Sequence, residues 1–216
     1  MQAQAQQTPL WPWRVATAVV MVGAGALAAA YALPVPLGQL LRPWYLSRGS
    51  GIVAFALLWL SVAIGLMQSC GLLKGLTPAG ANIDLHEHAS VLALYTTLFH
   101  ALILIMDNYM GLGVADVLVP FATTYKTTLM ALGILGLYTV VAAIVTTYLR
   151  SSMSARVWRV IHQTSLVGFL FTIVHAVMMG TDSARPGMVS LYLFCGVSVA
   201  VLTVYRIYLS LHNRAR

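Results

Sequence analysis

Four histidines stand inside two long apolar runs, and their surroundings leave few folds open. The first run reads Asp84-Leu85-His86-Glu87-His88-Ala89-Ser90 and continues to Phe99-His100-Ala101. The second reads Arg159-Val160-Ile161-His162 and continues to Ile173-Val174-His175-Ala176. Within a bilayer no water can satisfy a lipid-facing backbone, so apolar runs of this kind must be helical. His86 and His100 are 14 residues apart and His162 and His175 are 13 apart. On helices these steps rise ~21 Å and ~20 Å, inside a hydrocarbon core of roughly 30 Å. Two such helices facing each other bring one histidine pair near each membrane surface.

Composition places the whole chain in the membrane. Of 216 residues, 60% are hydrophobic and only 8% charged, too few charges to cover a water-soluble surface. Six stretches are long enough to span, at about 14–33, 52–69, 86–106, 128–149, 157–179 and 188–211. The expected fold is therefore an all-α integral membrane bundle of six helices over residues 11–211. A polar, Gln-rich tail (1–10) is expected to be disordered, and a short tail (212–216) follows the bundle. A signal peptide is the rival reading of the first run, whose length and single Arg14 favour a span. The segment holding Pro34, Pro36, Pro43, Trp44, Tyr45 and Arg48 reads as a loop, as do residues 70–84. Asp84, with Glu87 three positions on, has the spacing of a capping box and is expected to start the third span.

The 12 Lys and Arg are divided unequally between the two sides. Arg14, Lys74, Arg150, Arg156, Arg159, Arg206, Arg214 and Arg216 fall on one side, and Arg42, Arg48, Lys126 and Arg185 on the other. Positive charge is retained on the cytoplasmic side, so both termini are expected there, in the cell's inner (plasma) membrane. This puts His86 and His162 at the cytoplasmic side and His100 and His175 at the outer side. Net charge of +7, scattered singly over the connections, does not make a nucleic-acid surface. Cys70 and Cys195 sit on different segments without a CxxC, which excludes a zinc knuckle or iron–sulfur framework.

An ionisable side chain inside a span is a functional candidate, although any one histidine could simply bond a neighbouring helix. Four at matched depths on two spans favour a metal. Zinc, copper and iron all accept imidazole, but no thiol or carboxylate is placed to complete a compact cluster. Two imidazoles from facing helices suit a flat macrocycle with both axial positions filled, which is haem b in the absence of a CxxCH attachment. Helical steps between the histidines fall on Ser90, Ala93 and Thr97 in one run and on Ser165, Gly168 and Thr172 in the other. All are small, as close approach of a flat ligand or of another helix requires. At ~100° per residue His86 and His100 lie about 40° apart. His88 and His100 lie about 120° apart, so His86 is the expected ligand and His88 a spare. His162 and His175 are about 140° apart, which offsets the two centres around that helix.

Both spacings, His-x13-His on the third span and His-x12-His on the fifth, resemble the ferric reductase-like transmembrane domain family. Val119-Pro120-Phe121, Ala131-Leu132-Gly133, Arg156-Val157-Trp158-Arg159-Val160-Ile161-His162 and Gly180-Thr181-Asp182 carry the likeness further. It covers roughly 51–211. The resemblance implies two stacked b haems, the inner on His86 and His162 and the outer on His100 and His175, and electron transfer across the membrane. In size and architecture the chain is also similar to the haem subunits of methionine-sulfoxide reductase systems, which lack this four-histidine pattern.

Reductases and oxidases of that family continue into flavin and nicotinamide domains, and no GxGxxG fingerprint occurs here. No flavin or NAD(P) is therefore expected on this chain. The expected donor is a separate flavin reductase, flavoprotein or quinol, the acceptor at the outer face being open. Arg159 at the inner haem, and Lys126 and Arg185 at the outer, are candidates to neutralise haem propionates. The basic turn holding Arg150, Arg156 and Arg159 could equally dock an acidic donor or serve topology alone. No residue is assigned a catalytic role, since neither paired carboxylates nor a Ser/His/Asp set is present. The rival function is a haem-free membrane assembly or transport subunit with structural histidines.

Overall fold

A computed structural model describes residues 42–76 and 79–214. The expected first span, 14–33, and the tail 1–10 lie outside the described residues. Among those described, every regular element is a helix. Five are long and apolar enough to cross a membrane: α1 (Pro43–Ser69), α2 (Ala79–Ile105), α4 (Thr127–Tyr148), α5 (Ala155–Met179) and α6 (Pro186–Arg214). A short α3 (Val114–Leu118) lies within the connection between α2 and α4.

Two helices begin earlier than the sequence reading places them. α1 starts at Pro43, not Ile52, so Trp44, Tyr45 and Arg48 are helical rather than loop residues. Proline at the first helical position has its φ preset and loses no intrahelical bond there. At its other end, Gly71 adopts φ +73° and the chain folds back on itself. The Leu72 amide bonds the Met67 carbonyl and the Gly71 amide bonds Gln68, each at 3.0 Å, in a Schellman stop. α2 begins at Ala79, which puts Asp84 inside the helix, and the capping box expected at Asp84 does not start it. Instead Gln68 of α1 donates to the Asn82 carbonyl (2.7 Å), tying the first turns of α2 to its neighbour. Ser154 caps α5, accepting from the Val157 amide at 3.3 Å.

The helices pack as two hairpins, α1 with α2 and α4 with α5, while α6 lies on α1. α1 is the pivot, since it also touches α5. Its Phe55, Leu58, Val62 and Leu66 form the core with Ala93 of α2, Phe169 of α5, and Cys195 and Val199 of α6. Phe55 is 2% exposed and packs on the rings of Phe169 (5.9 Å) and Tyr192 (5.3 Å). Elsewhere the apolar side chains point outward, with Leu193 61% and Phe194 60% exposed on α6. An apolar exterior is stable only where lipid replaces water, so this is a multi-pass membrane protein.

The α4–α5 hairpin closes at paired glycines. A Cβ on Gly168 would collide with Thr139 Oγ1, and one on Gly136 would lie 2.5 Å from Thr172 Oγ1. Small residues allow this backbone approach, which drives association where lipid is as apolar as the side chains. Gly168→Ala should therefore destabilise the hairpin by about 1–3 kcal/mol, the range for overpacking. Thermal unfolding in a single detergent checks this, and Thr139→Ala in the same chain should recover most of the loss.

Candidate functional site

Three of the four histidines are held in the same way. His86 Nδ1 lies 2.9 Å from the Ser61 carbonyl, His100 Nδ1 2.8 Å from Ser47 and His175 Nδ1 2.7 Å from Leu129. A carbonyl only accepts, so Nδ1 carries the proton in each. In each case the acceptor belongs to the hairpin partner, and the residue four positions on from it is glycine: Gly65, Gly51 and Gly133. A Cβ there would press on the ring, 3.1 Å from His86 Cε1, 3.1 Å from His100 Cε1 and 2.7 Å from His175 Nδ1. Glycine bares a carbonyl that the helix has already used once and lets a second donor reach it.

The consequence falls on Nε2. With Nδ1 donating, it carries the lone pair that binds metals, and no described residue is hydrogen-bonded to it in any of the four. His86 and His162 face each other across the hairpins with ring centroids 6.0 Å apart and planes at 63°. That separation leaves room for one metal ion at about 2 Å from a nitrogen of each ring. His100 and His175 line a single cavity of about 240 Å³, many times the room one water needs. Gly51, Gly133, Thr97 and Thr172 also line it. Helices α2 and α5 pack on their hairpin partners more than on each other, so space remains between the two that carry the histidines.

His162 is held differently. Its Nδ1 is buried and has no hydrogen-bond partner. Its ring stacks on Trp158 (centroids 5.1 Å, planes at 26°), and the Arg150 guanidinium sits 4.3 Å over the other ring of that pair. Trp158 is fixed in turn by a bond from Nε1 to Thr147 Oγ1 of α4 (3.3 Å).

The small residues between the histidines divide by role. Thr97 and Thr172 reach the cavity, whereas Ala93 is 1% exposed against α1 and Gly168 belongs to the α4 crossing. Ser90 Oγ bonds Ser61 Oγ at 2.6 Å, and Ser165 bonds back to the His162 carbonyl. His88 turns its Nδ1 to the Asp84 carbonyl of its own helix (2.6 Å), apart from the His86–His162 pair.

Of the basic residues read from the sequence, Lys126 reaches the Met178 carbonyl (3.5 Å), Arg185 pairs with Asp182 (2.9 Å) and Arg159 is exposed on α5. None of the three lines the cavity. The cation that does is Arg48, ion-paired with Asp182 at the His100/His175 end. Sequence reasoning missed Arg48 because it was read as loop, and it missed the three glycines. A signal for two of them was present: Gly51 and Gly65 are 14 apart, as are His86 and His100, the match an antiparallel pair requires.

Fold and site together define a multi-pass helical membrane protein with two facing pairs of imidazoles. Among the described residues no group of three or more His, Cys, Asp or Glu converges, so a metal here is held by two side chains at a time. The chain belongs to the family described as a domain of unknown function, DUF8596, which matches residues 43–182. That span takes in all four histidines, their three glycines and both partners of the Arg48–Asp182 pair. No curated protein and no solved structure matches the chain.

Gly133→Ala should break the His175–Leu129 bond at a cost of about 1–2 kcal/mol. Gly49→Ala is the control, since nothing lies within 4 Å of its Cβ position. It should be neutral or stabilising by about 0.5–1 kcal/mol, the helix-interior difference between the two residues. Unfolding of both variants in one detergent measures the contrast.

Proposed function

We propose that the chain is a membrane b-type cytochrome subunit, ferric reductase-like, that passes electrons between a donor at one face and an acceptor at the other. The observation that carries this reading is the repeated anchor: three imidazoles are fixed as Nδ1–H tautomers by backbone carbonyls, leaving Nε2 for a metal. A histidine that served only to bond a neighbouring helix would need no glycine cut to its ring and no facing partner. Two ligands per site, with no third acidic or thiol group near, match a macrocycle that supplies its own equatorial donors.

His86 with His162, and His100 with His175, would hold the two haems. When bound, haem supplies reversible one-electron chemistry at iron. The chain fills both axial positions, so its residues exclude small molecules from the metal rather than present one to it. The hairpin anchors fix ring orientation, and the apolar core around Phe55 and Phe169 keeps water from the space between sites. Arg48 is the basic residue best situated for a carboxylate of the outer group. With both termini in the cytoplasm, as the arginine bias supports, His86 and His162 lie at the inner side. Arg150 and Trp158 then face a separate cytoplasmic donor.

Chain purified from haem-replete membranes should carry two haems that acid acetone extracts. His86→Ala should remove one of the two, and His88→Ala neither. A colourless chain would point instead to an assembly or transport subunit with structural histidines.

NADPH alone should leave the haems oxidised in the purified chain, whereas reduced flavin, a soluble flavin reductase or a quinol should reduce them. If the donor is an acidic protein, neutralising Arg150, Arg156 and Arg159 should slow reduction at low salt and matter little at high salt. Stopped-flow absorbance at two ionic strengths measures both.

A further inference from the structure

The four histidines are not equivalent, and the difference lies between the pairs. In the His100/His175 pair both Nδ1 atoms donate to backbone carbonyls, at 2.8 and 2.7 Å. In the His86/His162 pair only His86 does so, at 2.9 Å, while His162 Nδ1 is buried without a partner. All four rings are partly buried, so exposure does not separate them.

The reason is local to α4. Counting from Gly133 by the 13 residues that separate His175 from His162 leads to Thr146, not a glycine. Thr146 Oγ1 bonds the Ala142 carbonyl at 2.6 Å, which occupies the equivalent acceptor. Denied a backbone anchor, the His162 ring rests on Trp158, which Thr147 holds. Stacking fixes the plane of a ring but does not polarise it, whereas an Nδ1–H···O=C bond makes the opposite nitrogen a stronger donor. A stronger axial donor stabilises the oxidised metal and lowers its reduction potential. A nearby cation favours the reduced state, and Arg206 of α6 is within electrostatic reach of His162. Arg48 near the other pair is offset by Asp182.

Resting on the haem reading above, we propose that the two centres are unequal by construction: the His86/His162 centre has the higher reduction potential, and Trp158 is the residue that positions its His162. Each centre gains one electron from an external reductant, with no bond made or broken in the chain. On stepwise reduction the His86/His162 centre fills first.

The test is a mediated redox titration of the detergent-solubilised holoprotein with dithionite, followed by optical and low-temperature EPR spectra. Two one-electron steps are expected, the higher absent in His86→Ala and the lower absent in His100→Ala. Trp158→Leu should shift the higher step and change its EPR signal while leaving the lower step in place. Trp158→Phe, which keeps a stacking ring, should resemble the parent and guards against a misfolded leucine variant. Coincident steps, the reverse assignment, or a Trp158→Leu effect on both centres alike would overturn the proposal while leaving the haem reading intact. Absence of haem would defeat that reading instead. Nitrogen-15 NMR of histidine-labelled haem-free chain then decides the anchoring separately. It should report Nδ1–H tautomers at His86, His100 and His175 but not a single fixed tautomer at His162, and four identical tautomers would overturn it.

Discussion

Everything at the histidines depends on one interaction, the bond from an imidazole Nδ1–H to a carbonyl of the neighbouring helix. In a helix each interior carbonyl already accepts from the amide four residues on. A second donor can reach it only where the side chain above is missing, which is why Gly51, Gly65 and Gly133 stand four residues after Ser47, Ser61 and Leu129. The bond fixes tautomer and ring direction together. Inside a bilayer it has no water to compete with it, so its orienting effect is greater than on a soluble surface.

That interaction requires hairpins closed to backbone contact, and the rest of the bundle follows from it. α1 and α2 meet along two glycine–histidine contacts one membrane leaflet apart, and α4 and α5 meet at Gly133, Gly136 and Gly168. Tight pairing within each hairpin leaves the space between α2 and α5 open. α1 joins the hairpins through Phe55 and Phe169, and Trp59 Nε1 fastens α6 to it through Ser198 Oγ at 2.9 Å.

The two ends of this space are closed by different chemistry. At the His100/His175 end, Arg48 and Arg185 both bind Asp182, joining α1 to the turn before α6. A half-buried pair of this kind holds position more than it adds stability, since desolvation offsets much of the attraction. At the His86/His162 end a cation, an indole and an imidazole form one column, Arg150 on Trp158 on His162. Cation–π attraction there fixes the basic turn Arg150–Ser152 against the face of α5.

The sequence by itself determined the five described membrane helices to within a few residues at most ends, and the depth of each histidine. Both follow from local quantities: the 1.5 Å rise of a helix, the thickness of a bilayer and the run of apolar side chains between charges. It misread the starts of α1 and α2, because Pro43 and Ala79 begin helices whose first turns are polar and gain their support from neighbouring chain. Which small residues line a cavity and which close a helix crossing was not legible either: Ala93 and Thr97 look alike in a list of small residues, yet one faces α1 and the other the cavity. Only the tertiary structure decided that glycine and carbonyl lie under three imidazoles while tryptophan lies under the fourth. Such contacts depend on the rotation of each helix about its own axis and on its distance from the next. Those are fixed by packing between segments far apart in the chain, not by the order of residues within one.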